Sequence, residues 1–370
     1  MVELDPAALA RTVLWSSFVL ALLFGAIAQR THFCTMGAVS DIVNIGDTTR
    51  MRQWALAVGV AMLGFGGLVY AGLIDPARTL YASQRVFWLS GLVGGLMFGF
   101  GMVLASGCGN KTLVRIGGGS LKSLVVFLVI AIAGYATLRG ITAVLRVATV
   151  DRVVIELDAS ASIPGLLAAA GLDARTAALA AALVVGGALS AWALMTRESR
   201  RADNLLAGIG LGLIVVGAWW ISGHLGFIAE HPETLEPTFV ATNSGKAEAL
   251  SFTAPLAYSL DWLILFSDKS KVLTVGIVTV IGVIAGSAAM AWANRSFRWE
   301  GFGGVEDVAN HLVGGVLMGV GGVTALGCTV GQGLSGISTL SLTSFVAVAA
   351  TIAGAVLGLR YQLWRLERTA

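Results

Sequence analysis

Nine apolar runs, each near the length needed to cross a bilayer, punctuate this 370-residue chain at about 13–29, 54–74, 87–106, 121–145, 176–196, 204–222, 272–293, 309–327 and 341–359. A membrane-spanning helix takes roughly 20 mostly apolar residues. Only 12% of residues are charged, where a soluble domain carries about 25%. The chain is therefore read as an all-α integral membrane protein of about nine transmembrane helices, with short broken or re-entrant helices between them. The small net charge of +3 comes from scattered residues, without the continuous basic face that a nucleic-acid partner requires.

Arg30, Arg50 and Arg52, Lys111, Arg115 and Lys122, Arg197, Arg200 and Arg201, and Arg295 and Arg298 fall in one set of short connections, joined by Arg360, Arg365 and Arg368 in the tail. Lys and Arg gather on the cytoplasmic side of membrane proteins. The predicted topology thus puts the C-terminus in the cytoplasm and the N-terminus outside. Ala26-Ile27-Ala28 imitates a signal-cleavage site, but the flank holding Glu3, Asp5 and Arg11 is not basic, so residues 13–29 are expected to stay as the first span. The acidic stretch His231–Pro237 and the loop 223–271 fall outside. Pro255 interrupts the apolar part of that loop, which predicts short surface helices there; a tenth span is the competing assignment.

The sequence also repeats itself. Residues 92–108 read LVGGLMFGFGMVLASGC and residues 312–328 read LVGGVLMGVGGVTALGC, identical at ten of seventeen positions. These are the third and eighth spans, so the copies cross in opposite directions. Inverted repeats are characteristic of transporters whose substrate sites lie at the repeat interface. A weaker echo pairs Ala28-Gln29-Arg30-Thr31 with Ala293-Asn294-Arg295-Ser296. The expected organisation is two inverted-topology repeats, residues 1–150 and 176–370, joined by an outer segment at 151–175.

Each copy ends in Gly-Cys and runs into glycine-rich polar sequence: Gly107-Cys108-Gly109-Asn110-Lys111 and Gly327-Cys328-Thr329-Val330-Gly331-Gln332. Ordinary helix ends also finish in glycine, but cysteine at the same place in both copies favours a functional reading. Irregular backbone at membrane depth is tolerated where it lines a cavity, and helix N-termini there solvate anions. Cys34 follows the first span in a similar setting. Three cysteines are an odd number, with no C-x-x-C and no Cys/His spacing, so neither a complete disulfide framework nor a metal or other cofactor is expected. A thiol is a weak donor with a soft sulfur, and these thiols are expected to be protonated at rest.

Other polar residues receive milder readings. His224 and His311 are expected at the interface, and Arg139 is expected to snorkel. Asn110, Asn310 and Gln332 can donate to a substrate or bridge helices. Trp15, Trp54, Trp88, Trp219, Trp220 and Trp364 suit an aromatic belt. Asp41 and Glu306 are assigned to loops, which leaves no obvious intramembrane proton carrier and favours a channel-like path.

The motifs His32-Phe33-Cys34-Thr35-Met36-Gly37, Ala105-Ser106-Gly107-Cys108-Gly109-Asn110 and Leu326-Gly327-Cys328-Thr329-Val330-Gly331-Gln332-Gly333, in that order, resemble the YeeE/YedE family of bacterial inner-membrane sulfur-compound transporters. Ala241-Thr242-Asn243-Ser244-Gly245 and Asn294-Arg295-Ser296-Phe297 add to the likeness, which covers nearly the whole chain. The resemblance implies a non-enzymatic protein that takes up thiosulfate from periplasm to cytoplasm through an hourglass whose cysteines pass the anion along by S–H hydrogen bonds. Cys108 and Cys328 match the two central motifs, and Cys34 matches the one after the first helix. A TusA-like cytoplasmic sulfurtransferase is the implied partner. Family branches linked to selenium keep another sulfur or selenium species open, and a membrane thiol oxidoreductase is the rival of another class. The expected translocation site comprises Cys34, Cys108 and Cys328 with Gly107, Gly109, Gly327, Thr329, Gly331 and Gln332.

Overall fold

A computed structural model describes residues 5–232 and 235–369. Glu3, Glu233 and Thr234, used in the charge reading, lie outside the described residues. The fold is helical, with two isolated pairs of two-residue strands. Helix α1 (Pro6–Thr31) begins where the Asp5 carboxylate accepts the Ala7 amide at 2.9 Å and Pro6 occupies the first turn. These are standard start signals, since the missing proline N–H would have had no helical acceptor. The chain continues through α2 (Thr35–Ile45), α3 (Thr49–Tyr70), α4 (Trp88–Leu104), α5 (Gly109–Gly117), α6 (Leu121–Arg139), α7 (Ile141–Ala148), α8 (Ile163–Ala169), α9 (Ala174–Ala193) and α10 (Ala202–Leu225). It closes with α11 (Ala254–Ile264), α12 (Val275–Ala293), α13 (Val305–Thr324) and α14 (Leu342–Thr369).

Eight helical segments among the described residues are long and apolar enough to cross a membrane. The expected span outside these eight is the eighth, 309–327, which corresponds to α13. Its 20 residues reach about 30 Å, but Asp307, Asn310 and His311 dilute its first turns. The expected fourth span, 121–145, ends earlier: α6 stops at Arg139, and Gly140 turns the chain into the separate α7. The outer loop holds α11, whose 11 residues cover only about 16 Å, so the tenth-span assignment does not hold. Pro255 sits in its first turn rather than breaking it, because a helix start tolerates proline.

The two repeat copies pack directly on each other and run antiparallel. Cβ atoms built on Gly94 and Gly101 would lie 2.6 Å from the Gly321 carbonyl oxygen and 2.7 Å from the Gly314 carbonyl oxygen. Partner numbers fall as the chain rises, which fixes the opposed directions of α4 and α13. The reciprocal positions Gly314 and Gly321 are equally tight, at 2.6 Å from the Gly101 oxygen and 2.6 Å from the Phe98 nitrogen. In lipid such backbone proximity replaces the hydrophobic effect as the source of helix association.

The surroundings repeat as well. Helix α4 lies along α14 as α13 lies along α6; α2 rests on α3 and α14 as α11 rests on α12 and α6. In this pattern α12 is the counterpart of α3. The weak echo between 28–31 and 293–296 therefore stands outside the inversion: both ends line one cavity on the same face.

Several side chains depart from the sequence expectation because tertiary packing outweighs residue type. Trp219 is fully buried against Phe65, with ring centroids 5.0 Å apart, and its indole N–H donates to Ser338 Oγ at 3.0 Å. Trp54 covers Gly333, where a Cβ would sit 2.8 Å from the indole. Trp15, Trp220 and Trp364 remain exposed as a belt requires. His311 is buried and meets the Asp307 carboxylate at 2.9 Å, rather than lying in the interface. Asp41 and Glu306 are helical, the first paired with Arg50 and the second with Arg365 at 3.1 Å.

The glycine crossing generates a prediction. Gly314→Ala places a methyl against the Gly101 carbonyl and should destabilise the fold by about 1–3 kcal/mol. Gly187→Ala, with open space around it, should be neutral or stabilising by up to about 1 kcal/mol. Thermal unfolding of both variants in detergent checks the contrast, and equal melting temperatures would contradict it.

Candidate functional site

All three cysteines stand on one local device. His32 (φ 52°), Ser106 (φ 57°) and Leu326 (φ 61°) adopt the left-handed conformation, and each precedes a cysteine by two residues. Helices α1, α4 and α13 end there. After α4 the Gly107 N–H returns to the Met102 carbonyl at 2.7 Å, and after α13 the Gly327 N–H returns to Gly322 at 2.8 Å. These are paired closures at repeat-equivalent positions, of the kind that glycine usually supports. Using a serine and a leucine instead costs of order 1 kcal/mol each, and no residue-type signal announced it.

Beyond each elbow the cysteine opens a new helical segment. Cys34 caps α2, its Sγ accepting the Gly37 N–H at 3.4 Å. Cys108 is the residue before α5. Cys328 Sγ accepts the Gly331 N–H at 3.4 Å and the Phe252 N–H at 3.3 Å, leading into a π-turn at Gly331–Gly336. Where the sulfur takes N–H donors, its own S–H proton stays available to an outside acceptor, and accepted hydrogen bonds polarise that proton further. The three thiols are free, and relative exposures of 7%, 1% and 2% for Cys34, Cys108 and Cys328 close them off from solvent.

Cys108 lies near both other thiols and near Thr329, whose hydroxyl makes no hydrogen bond among the described residues. Three of the eight buried side-chain polar atoms without a partner among the described residues lie here: Thr329 Oγ1, Thr253 Oγ1 and Asn110 Oδ1. Leaving such groups unpaired costs about 1–3 kcal/mol apiece, a cost that a polar occupant would offset.

The expected glycines serve close approach. A Cβ on Gly331 would meet Ser251 Oγ at 2.5 Å, one on Gly109 would meet the Phe252 carbonyl at 3.3 Å, and one on Gly107 would touch Lys111 Cγ at 2.9 Å. Gly327, at φ 157°, lies at the edge of the positive-φ range. Gln332 is engaged at both ends: its Nε2 donates to the Ala325 carbonyl at 2.8 Å and its Oε1 accepts from Ser344 at 2.6 Å. It therefore ties the second elbow to α14.

Two cavities approach the thiols from opposite faces, since α12 starts at one and is followed by the other. The first, of about 370 Å³, includes Gly276 and Thr279 of α12 and reaches Gly327 and Gln332 beside Cys328; Asn243, Glu248 and Tyr258 line its wall. The second, of about 440 Å³, follows the end of α12 at Asn294 and Ser296 and gathers Arg30, His32, Lys111, Arg115 and Arg298 near Cys34 and Cys108. Arg30 is paired with Asp203 at 3.1 Å, and Lys111 lies near Cys34 and Cys108. The first cavity thus reaches the residues flanking Cys328, and the second those flanking Cys34 and Cys108.

Sequence reasoning found the cysteines and their glycines. It missed Thr253, Ser251 and Glu248, which sit in the outer loop and reach the second elbow only through folding; Phe252 and Cys328 are 76 residues apart. The resemblance around Ala241–Gly245 was the available pointer, and Asn243 does line the first cavity, held by a 2.9 Å bond to Thr274.

A membrane domain with antiparallel repeat copies, broken helices at their junction and cavities on both faces has the architecture of a transport protein. The chain belongs to the sulphur transport family, whose model matches residues 30–357. It is 26% identical over 352 residues to the thiosulfate transporter TsuA of Escherichia coli (strain K12), covering 93% of each chain. It is 25% identical over 347 residues to the thiosulfate transporter TsuA of Spirochaeta thermophila, covering 90% of this chain and 94% of the relative. A 92-residue stretch is 30% identical to the probable transporter YedE of E. coli, covering 25% of this chain and 21% of that protein.

The free-thiol arrangement predicts a count. After denaturation the chain should yield three thiols reactive with a chromogenic disulfide, and prior reduction should leave that number unchanged. A count of one that rises to three on reduction would reveal a stable disulfide and favour an oxidoreductase.

Proposed function

We propose that this chain carries thiosulfate across the bacterial inner membrane into the cytoplasm, without enzymatic chemistry, handing the anion from Cys328 to Cys108 to Cys34. The observation that carries the reading is that the two Gly-Cys elbows of the repeat lie between two cavities, with Gly327 and Gln332 lining one and Lys111 lining the other. The relatives named for thiosulfate transport match over nine-tenths of the chain or more. The N-terminus is assigned to the periplasm and the C-terminus to the cytoplasm from the Lys and Arg distribution, which makes the first cavity the entrance and the basic cavity the exit. The halves 1–150 and 176–370 act as the two sides of the hourglass.

A dianion entering a low-dielectric waist loses hydration worth many kcal/mol. Its terminal sulfur is a soft acceptor for S–H donors, while its oxygens suit hydroxyl groups such as those of Thr253 and Thr329. The elbows keep three such thiols in series, so each transfer exchanges one weak hydrogen bond for another and no single position traps the ion. At the exit, Lys111 and Arg115 supply the positive potential that draws the anion out. A TusA-like sulfurtransferase would collect it from that basic mouth.

The reading is tested in a bacterium lacking its own sulfate and thiosulfate importers, with thiosulfate as sole sulfur source. The native chain should restore growth, and Cys108→Ala or Cys328→Ala, verified in the membrane, should abolish it. Thr329→Val should slow uptake roughly tenfold, the value of about 1.5 kcal/mol for a hydrogen bond to a charged group. It should leave thermal stability unchanged or higher, because the hydroxyl it removes has no conventional partner. Normal growth of both cysteine variants would rule out the thiol relay; failure of the native chain on thiosulfate would redirect the search to another sulfur or selenium species.

A further inference from the structure

The first cavity carries a carboxylate, Glu248, in its wall, which is unexpected at the entrance for a dianion. Glu248 lines it, half-buried, four residues before Phe252, whose N–H donates to the Cys328 thiol. The segment is fixed: the Glu248 N–H donates to Ser222 Oγ at 3.1 Å, and the Ser222 hydroxyl donates back to the Glu248 carbonyl. These bonds hold the Glu248 backbone beside α10, and the side chain lines the cavity. Among the described residues it forms no ion pair; its side-chain donor is Ser244 Oγ at 3.0 Å.

The charges around it are committed elsewhere. Arg146, on the same cavity, is bound to Asp151 at 3.0 Å. Lys271 is bound to Asp261 at 2.6 Å. Arg139, at the end of α6, acts on Tyr258, while Lys246 of the same loop is exposed. The other titratable groups facing Glu248 are the phenols of Tyr81 and Tyr258 and, beyond Tyr81, the Cys328 thiol.

We propose that Glu248 is a proton-operated gate at the mouth of the path: as a neutral carboxylic acid it donates a hydrogen bond to the incoming anion, and as a carboxylate it repels it. This rests on the anion-import reading above. The enclosed wall and the absence of a paired cation disfavour the ionised form, and burial pushes the carboxyl up to about 7, against the hydrogen bonds from Ser244 and the Asn243 backbone. The sign is fixed: protons bind as external pH falls, so uptake rises on acidification and is lost as pH rises through that value. Uptake thereby becomes sensitive to external acidity through a carboxylate in the loop between α10 and α11.

The test is initial thiosulfate uptake by proteoliposomes at fixed internal pH, with external pH varied from about 6 to about 8. A single proton site near 7 is occupied in about nine-tenths of molecules at the lower limit and about one-tenth at the upper. The native chain should therefore transport about tenfold faster at the acid end. Glu248→Gln, which is neutral throughout, should lose this dependence and exceed the native rate about tenfold at the alkaline end. Ser244→Ala removes a donor to the carboxylate and should move the native midpoint to higher pH. A Glu248→Gln chain that keeps the tenfold dependence, or that is folded but inactive at every pH, overturns the gate; if that variant does not reach the membrane, an unmoved midpoint in Ser244→Ala does so instead. Absence of uptake by the native chain at every pH would instead bring down the import reading itself.

Discussion

The crossing of α4 and α13 is the contact on which the site depends. Two glycine-rich helices approach until carbonyl oxygens of one nearly touch the backbone of the other, at Gly94 with Gly321 and at Gly101 with Gly314. Any side chain at these positions would push the copies apart. Because the copies run in opposite directions, their broken ends emerge on opposite sides of the crossing and their cysteines are offset along the membrane normal. The glycine interface thus sets both the closure of the waist and the spacing of its thiols.

Around that crossing, the polar economy of the protein is uneven. Most backbone and side-chain groups are satisfied, as burial in hydrocarbon demands. The exceptions include Thr253, Thr329 and Asn110 beside the elbows. Unpaired polar groups, thiols whose sulfurs accept N–H donors and helix breaks at membrane depth are what the proposed path would use to bind an anion weakly at several points. Weak serial binding suits passage better than storage. In the proposed import direction, Glu248 would stand at the entrance and the basic cluster at the exit.

Much of this was legible in the sequence because hydropathy and repetition are local signals. The spans, the antiparallel copies and the paired Gly-Cys elbows all follow from patterns readable along the chain. What escaped was set by contacts between distant segments. Nothing in the residue types marks His32, Ser106 and Leu326 as left-handed, since only the closure after each helix requires it. Trp219 and Trp54 carry the composition of a lipid belt but are drawn inward by Phe65 and Gly333. Glu248 reads as part of a surface loop, yet Ser222, 26 residues earlier, binds its backbone, and its side chain lines the first cavity. The echo between 28–31 and 293–296 arises from two neighbouring helix ends on one face, which a comparison of letters cannot distinguish from inversion.

The central claim, that the anion passes between the two elbows, is tested most directly by locating it. Crystals of the native chain grown with thiosulfate and measured at a wavelength where sulfur scatters anomalously would show the bound anion beside the three thiols. The account predicts a sulfur peak within hydrogen-bonding distance of Cys108 or Cys328, with an oxygen against Thr329. Peaks confined to the cavity bordered by Phe65, Ser162 and Ser338, with none at the elbows, would contradict it.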